Sequence, residues 1–560
     1  MKSRKRIIPT IIITLAFALI FHACENREVK EIPVFSTKYK HFVETLSSDN
    51  FEGRAPTTPG GKKTKAFVEA EFRRMGLKPA NNGSFRQPVP LIEITGRNFS
   101  PLTITDHNSD TITDNSSELS FSYFDEMIVG SSQLEDSIYL DKSELVFAGY
   151  GIVAPEYNWN DYEGLDVKGK TVVVLVNDPG YELQDDNLFN GRAMTYYGRW
   201  TYKYEEAARQ GAAGVLIIHE SGPAGYGWDV VKNSWSGPQY QVGGNNGEPA
   251  PLLEGWLHKE SAAALLEIAG LELEGIKQRA LRPDFTPFSL GLYISANFNQ
   301  SYVQSQSDNI AGYVEGSKYP DETVIYMAHW DHLGKTVTDD EVKIYNGAID
   351  NATGTAAIMV IAEKFAKMDP APERTVVFIA VTAEESGLIG SQYYSLNPLF
   401  PLETTAGGIN IDGLNVYGPT HDVVVIGYGT SDFQDILKQQ AAKQNRVLVP
   451  ERYPERGYFY RSDHFNFVRQ GVPMIYANSG IDFIGRNERY AIQAMEDQER
   501  RYHSTEDVIH DMWDWKGLDQ NLWLFYHTGK ELANSRKWPQ WEEGTEFRAI
   551  REESNDLREN

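Results

Sequence analysis

At 560 residues, 41% of them apolar and 12% aromatic, the chain exceeds what one hydrophobic core usually organises, so two domains are expected and a disordered or fibrous chain is excluded. A formal charge of -25 repels phosphate backbones and anionic headgroups, and no long Lys/Arg run follows the first six residues. Nucleic acid is therefore not expected as a partner.

The chain opens with Lys2, Arg4, Lys5 and Arg6, followed by an apolar stretch from Ile7 to Phe21 that is short for a membrane span. That is the order of an export signal. The stretch ends in Phe21-His22-Ala23-Cys24, which resembles the lipobox of bacterial lipoproteins, although His22 is unusual in that pattern. The resemblance implies a signal peptide over 1–24, lipidation of Cys24, and an exported protein held to a membrane on its periplasmic or cell-surface side. Cys24 is the only cysteine, so no intrachain disulfide forms and no thiol remains for catalysis or metal binding. The polar run Glu25 to Lys30 looks like a tether.

Beyond it, Phe67, Val68, Ala70, Phe72 and Met75 have helical spacing that stops at Gly76, which predicts an amphipathic helix over 62–75. Residues 81–140 alternate polar and apolar and predict short strands and loops within an N-terminal part of the main domain, 25–144. From Leu145 the texture changes. Val167 to Val176 predicts a turn and a buried strand, Lys203 to Gln210 a helix, and Gly211 to Ile218 a second strand. The pairing of "KGKTVVVLV" with "KYEEAARQGAAGVLII" resembles the protease-associated (PA) domain, which implies a small β-rich insert over 145–300. The Gly-rich stretches 222–227 and 243–247 read as loops.

From Asn309 buried strands alternate with helices, and the main domain is expected to resume after the insert, over 301–541. Thr323 to Met327, Arg374 to Thr382, Ala406 to Ile411 and Val472 to Tyr476 read as strands, and Thr355 to Met368 as a helix. The fold class expected is α/β, with a mixed, largely parallel sheet flanked by helices. Leu518, Leu522, Phe525, Gly529 and Leu532 predict a last packed helix, and the charged tail over 542–560 is expected to be mobile.

Candidate metal ligands stand where each inferred strand ends, which is where open α/β sheets place their sites. They are His329 in Ala-His-Trp-Asp-His, Asp350 before a helix, Glu384 and Glu385 after the long central strand, Asp412, and His503 in a later loop. Singly, each has a plain structural explanation as a core histidine, a helix cap, a first-turn acid or a turn residue. Together they would gather negative charge in one crevice, which is unfavourable without a cation. Two imidazoles and three carboxylates without thiols suit zinc, and one shared carboxylate permits a pair of ions. Of the adjacent glutamates, one can bind metal while the other acts as general base.

At these residues the chain resembles the co-catalytic di-zinc exopeptidases, a family that includes bacterial leucyl-type aminopeptidases and glutamate carboxypeptidase and, more distantly, glutaminyl cyclases. The resemblance spans about 40–140 and 305–535. It implies two zinc ions bridged by Asp350, with His329 and Asp412 completing one site and Glu385 and His503 the other. Glu384 would be the general base, and Asp331 the carboxylate that orients His329. Ser462-Asp463-His464 matches another recurring motif. "GAIDNATG" and "EESGLIGS" look like the aminopeptidase branch, which implies hydrolysis of N-terminal residues from peptides outside the cytoplasm. A carboxypeptidase of the same architecture is the alternative, since Tyr502 before His503 resembles that branch's oxyanion-stabilising tyrosine; Tyr458 or Tyr460 would supply that hydroxyl in the aminopeptidase manner. A non-enzymatic binding protein with a PA domain is a further alternative, and against it stands the presence of every ligand.

Overall fold

A computed structural model describes residues 36–106, 119–185, 187–243, 250–337 and 341–559. The signal-like segment and Cys24 lie outside them.

The expected strands form because their runs are apolar on both faces. Thr323 to His329 and Arg374–Val381 are buried throughout, as parallel central strands must be when helices cover both sides. Arg374–Val381 pairs parallel with Tyr319–His329, which pairs parallel with Thr405–Asn410, and that strand with Met474–Ser479. Asp422–Ile426 continues the sheet antiparallel, and Val447–Pro450 pairs parallel with it. The α/β class is thus observed: the sheet is mixed and largely parallel at its centre.

Helix Thr353–Ala366 is buried along nearly its whole length and carries part of the main core with Phe365, Ile358 and Ile361. On the sheet also lies Trp515–Ala533. Its close approach depends on Gly529, where a Cβ would meet the Tyr326 hydroxyl at 2.0 Å; that hydroxyl donates to Phe525 O at 2.8 Å. The first expected helix runs over Pro59–Met75, capped by Thr58 and ended by Gly76 in the left-handed conformation.

A second core cluster is built on parallel strands Thr171–Leu175, Gly214–Ile218 and Leu253–Leu257, with helix Trp200–Arg209 between the first two. Met127–Gly130 pairs with Leu253–Leu257, and Ser137–Phe147 with Thr171–Leu175, so residues before 145 also edge this unit. One long strand, Phe288–Val314, joins the two regions. Its first half pairs with Leu102–Asp106 and Ser137–Phe147, and its last residues with Arg374–Val381. The boundary expected at 300/301 falls within it.

The C-terminal tail carries a helix that its charged sequence does not suggest. Residues Arg548–Glu559 form a helix, and the buried Arg551 donates to the main-chain oxygens of Thr405 and Ala406 at 3.1 and 3.0 Å.

Candidate metal centre

The central strands deliver their C-terminal ends to one place. His329 closes Tyr319–His329, Asp412 follows Thr405–Asn410, and Glu384 and Glu385 lie in the turn after Arg374–Val381. Asp350 sits on the loop before helix Thr353–Ala366, and His503 follows helix Glu488–Arg501. Three non-glycine residues here, Ala383, Leu388 and His503, have φ of 55°, 61° and 52°. Such backbone strain persists where surrounding contacts over-determine it, as at functional sites.

All five expected ligands converge. His329 Nε2 lies 3.1 Å from Asp412 Oδ1 and 3.2 Å from Asp350 Oδ1. His503 Nε2 lies 3.3 Å from Asp350 Oδ2 and 3.0 Å from Glu385 Oε2. Tetrahedral ligands of zinc, each about 2.0–2.1 Å from the ion, stand about 3.3 Å from one another, so these spacings and this thiol-free donor set fit the metal.

The electrostatics agree. Burial raises the Asp350 pKa, but the imidazoles of His329 and His503 outweigh it and hold the carboxyl well below its usual range. Burial and Asp350 push Glu385 up, while His332 and His503 pull it down to about 2. For His503, burial lowers the pKa, yet Asp350 and Glu385 carry it up to about 10. Metal-free, the acids therefore keep this imidazole protonated, and metal uptake must release the proton. Burial raises Glu384 well above the carboxylate range, against the pull of His329 and with further help from Asp412, Glu385 and Asp463.

Asp331 is fully buried, and its carboxylate accepts from the Glu384 main-chain N–H at 3.2 Å. The His329 Nδ1–H is met at 3.2 Å by the main-chain oxygen of Asp331, with the carboxylate Oδ1 at 3.9 Å. Both groups of this one residue thus face the site. Ser462 donates to Asp412 Oδ2 at 2.6 Å and accepts from Asn410 Nδ2 at 2.8 Å, leaving Oδ1 of Asp412 for His329's side.

The candidate tyrosines separate. Tyr502 is 62% exposed, stacks on the His503 ring at 3.9 Å, and lines the cleft. Tyr460 also lines it, but its hydroxyl donates to Glu546 at 3.2 Å. Tyr458 accepts from Arg456 at 3.3 Å and is not among the lining residues. The cleft, about 580 Å³, runs between Glu384, Glu385 and His503 on one side and Arg199, Trp200, Tyr226 and Trp235 on the other.

Three supporting residues carry no expectation from the sequence. Asp507 accepts from the main-chain N–H groups of Ile349 and Asp350 at 2.9 and 3.0 Å, fixing the loop of the shared carboxylate. Arg54, buried beneath the site, donates to main-chain oxygens of Leu46, Trp330, Asn346 and Gly347. His332 contacts Glu385 at 2.5 Å. Of the three only His332 left a signal, as the second imidazole of His-Trp-Asp-His.

These features define a buried, thiol-free cluster of carboxylates and imidazoles able to hold metal ions at the strand ends of an α/β sheet. Residues 309–528 match the model of peptidase family M28. Mouse aminopeptidase NAALADL1 is 27% identical over 304 residues, 46% of this chain and 39% of the mouse protein. A probable zinc metalloprotease of Pyricularia oryzae is 38% identical over 85 residues, 15% of this chain and 16% of that one. Each match thus spans well under half the relative's length. Among solved structures, an aminopeptidase from Aneurinibacillus sp. strain AM-1 aligns over 89% of this chain and 93% of its own, at 17% identity and a TM-score of 0.46.

Proposed function

We propose that the chain is an exported, di-zinc aminopeptidase that removes N-terminal residues from peptides. The observation that carries this reading is that His329 and His503 meet different oxygens of one carboxylate, Asp350, as a bridging ligand between two cations requires. His329, Asp350 and Asp412 would hold one ion, and Asp350, Glu385 and His503 the other. Two zinc ions held there would polarise the scissile carbonyl and make water acidic at neutral pH. Burial gives Glu384 a high proton affinity, which cations bound beside it would lower, and it would then take the proton from the attacking water and pass it to the leaving amine. Asp331 holds the Glu384 main chain, and Tyr502, whose hydroxyl has no hydrogen-bond partner among the described residues, would steady the oxyanion. The PA-like insert over 145–300 supplies the cleft wall carrying Trp200, Tyr226 and Trp235.

A second reading, a carboxypeptidase of the same architecture, is favoured by one observation. Arg199 and Arg461 both line the cleft and have no carboxylate partner among the described residues. Burial, and then the like charge of Arg461, lower the Arg199 pKa to about 10, so an arriving carboxylate would relieve this pair. Peptides with free, N-acetylated and C-amidated ends, assayed with zinc counted per chain, decide between them. Two zinc ions with cleavage of free-amine and C-amidated peptides is expected; cleavage of N-acetylated peptides from the C-terminal end would replace the aminopeptidase reading.

Export and anchoring through a lipidated Cys24 belong to the same proposal and rest on the charge, apolar run and cysteine order alone. Membrane-extracted protein is expected to begin at a lipid-modified Cys24 by intact mass, and an unmodified cysteine there would discard the anchor.

A further inference from the structure

We infer that His332 is a positioning residue that occupies one oxygen of Glu385, so that this ligand offers the other oxygen alone to its metal. The inference rests on the metal reading above.

The geometry is specific. His332 is 1% exposed, and its Nδ1 stands 2.5 Å from Glu385 Oε1, while the other oxygen, Oε2, is the one that meets His503 Nε2 at 3.0 Å. Two ligands of a single zinc stand about 3.3 Å apart, so 2.5 Å marks a hydrogen bond from Nδ1–H and not a shared ion. The other ring nitrogen, Nε2, has no partner among the described residues. Burying an imidazole with one polar atom unpaired is costly, and its one hydrogen bond goes to a metal ligand.

The ring also supports the rest of that metal position. Gly347, at φ +54°, lies so close that a Cβ would stand 2.6 Å from His332 Cγ and Cδ2 and 2.2 Å from Asp350 O. Only glycine lets the loop bearing the shared carboxylate rest on this imidazole. On another side the ring meets that of His503 edge-on, at 5.7 Å and 74°. Asp350, Glu385 and His503, the three ligands of one ion, are thus all braced by His332.

The consequence is chemical. A carboxylate free to swing can offer both oxygens and fill a coordination position; one whose Oε1 already accepts a hydrogen bond cannot do so without losing it. His332 therefore keeps a position open for water or substrate. Asparagine can place an N–H near the same point, whereas alanine cannot.

The test uses full-length wild type, His332→Ala and His332→Asn, each freed of metal and loaded with cobalt(II) or zinc. The readouts are ions bound per chain, affinity by chelator competition, and the visible absorption of cobalt(II), whose intensity falls as coordination number rises. In His332→Ala the more weakly held ion should bind about 10–100-fold less tightly and the absorption should drop, with His332→Asn restoring both. A merely structural role would lower the melting temperature without moving the cobalt spectrum. An unchanged spectrum and affinity in His332→Ala would overturn the inference while leaving the two-metal reading intact. Loss of a whole equivalent of metal in both variants would also overturn it, by making His332 a ligand. A wild type that binds no pair of ions would sink both readings together.

Discussion

Arg54→Met should cost the metal-free protein about 3–9 kcal/mol. The guanidinium is fully buried and donates to the oxygens of Leu46, Asn346, Gly347 and Trp330 at 2.8, 2.5, 2.8 and 3.0 Å. Hydrogen bonds from a charged donor contribute about 1.5–3 kcal/mol each, so the set contributes about 6–12 kcal/mol before the cost of burial. That cost shows in the pKa: burial pulls Arg54 from the usual guanidinium range down to about 10, even against the attraction of Asp507, Asp350, Asp331 and Glu385. At 1.36 kcal/mol per unit this offsets about 3 kcal/mol, and methionine recovers part of the packing of the aliphatic stem. Asn346 and Gly347 lead directly to Asp350, so the same change should loosen the shared ligand and weaken metal uptake. Urea unfolding of the chelator-treated protein, together with zinc affinity, measures both. A loss below about 1 kcal/mol with wild-type metal affinity would show that the four carbonyls find other donors, and the reasoning would fail.

The adjacent glutamates should part company: Glu384→Gln keeps its zinc but loses roughly 10²–10⁴ in kcat, whereas Glu385→Ala loses metal and activity together. Zinc per chain and kcat on one free-amine peptide check this, and a Glu384→Gln protein emptied of zinc would reverse the roles. Glu254 tests burial away from the centre, since burial raises its carboxyl from 4.5 to about 7 against the 2.8 Å hydrogen bond from Ser132. A group raised in the folded state contributes stability fully below about pH 4.5 and loses it as pH rises through about 7. Glu254→Gln should therefore gain on wild type by up to about 3 kcal/mol between pH 4.5 and 8, read as the difference in melting temperature. Parallel curves for the two proteins would contradict the buried, protonated carboxyl.

How legible the site was depended on where the chemistry is written. His329, Asp412 and the Glu384-Glu385 pair could be found because each follows an apolar run that reads as a buried strand, and strand ends converge in this class of sheet. His503 follows helix Glu488–Arg501 and no strand, so the strand-end argument does not place it, and the family resemblance gave it a role. Phe288–Val314 hid in part because Gln300, Ser301, Gln304, Ser305, Gln306 and Ser307 interrupt it with polar side chains; pairing with Arg86–Arg97 makes it a strand regardless of propensity. The tail misled in the same way, since its charge reads as solvated while Arg551 is in fact buried on two carbonyls.

Arg54 and Asp507 show the deeper reason. Their partners are main-chain carbonyl and N–H groups, which every residue but proline carries, so no side-chain pattern betrays them. Residue identity announces the atoms that would touch a metal. It does not announce the anonymous backbone atoms on which Asp350 is held, and those become visible only once the chain has folded and brought residues 54, 332, 347 and 507 to the same few ångströms. The ligands and their supports are therefore read by different means, although losing either should empty the same site.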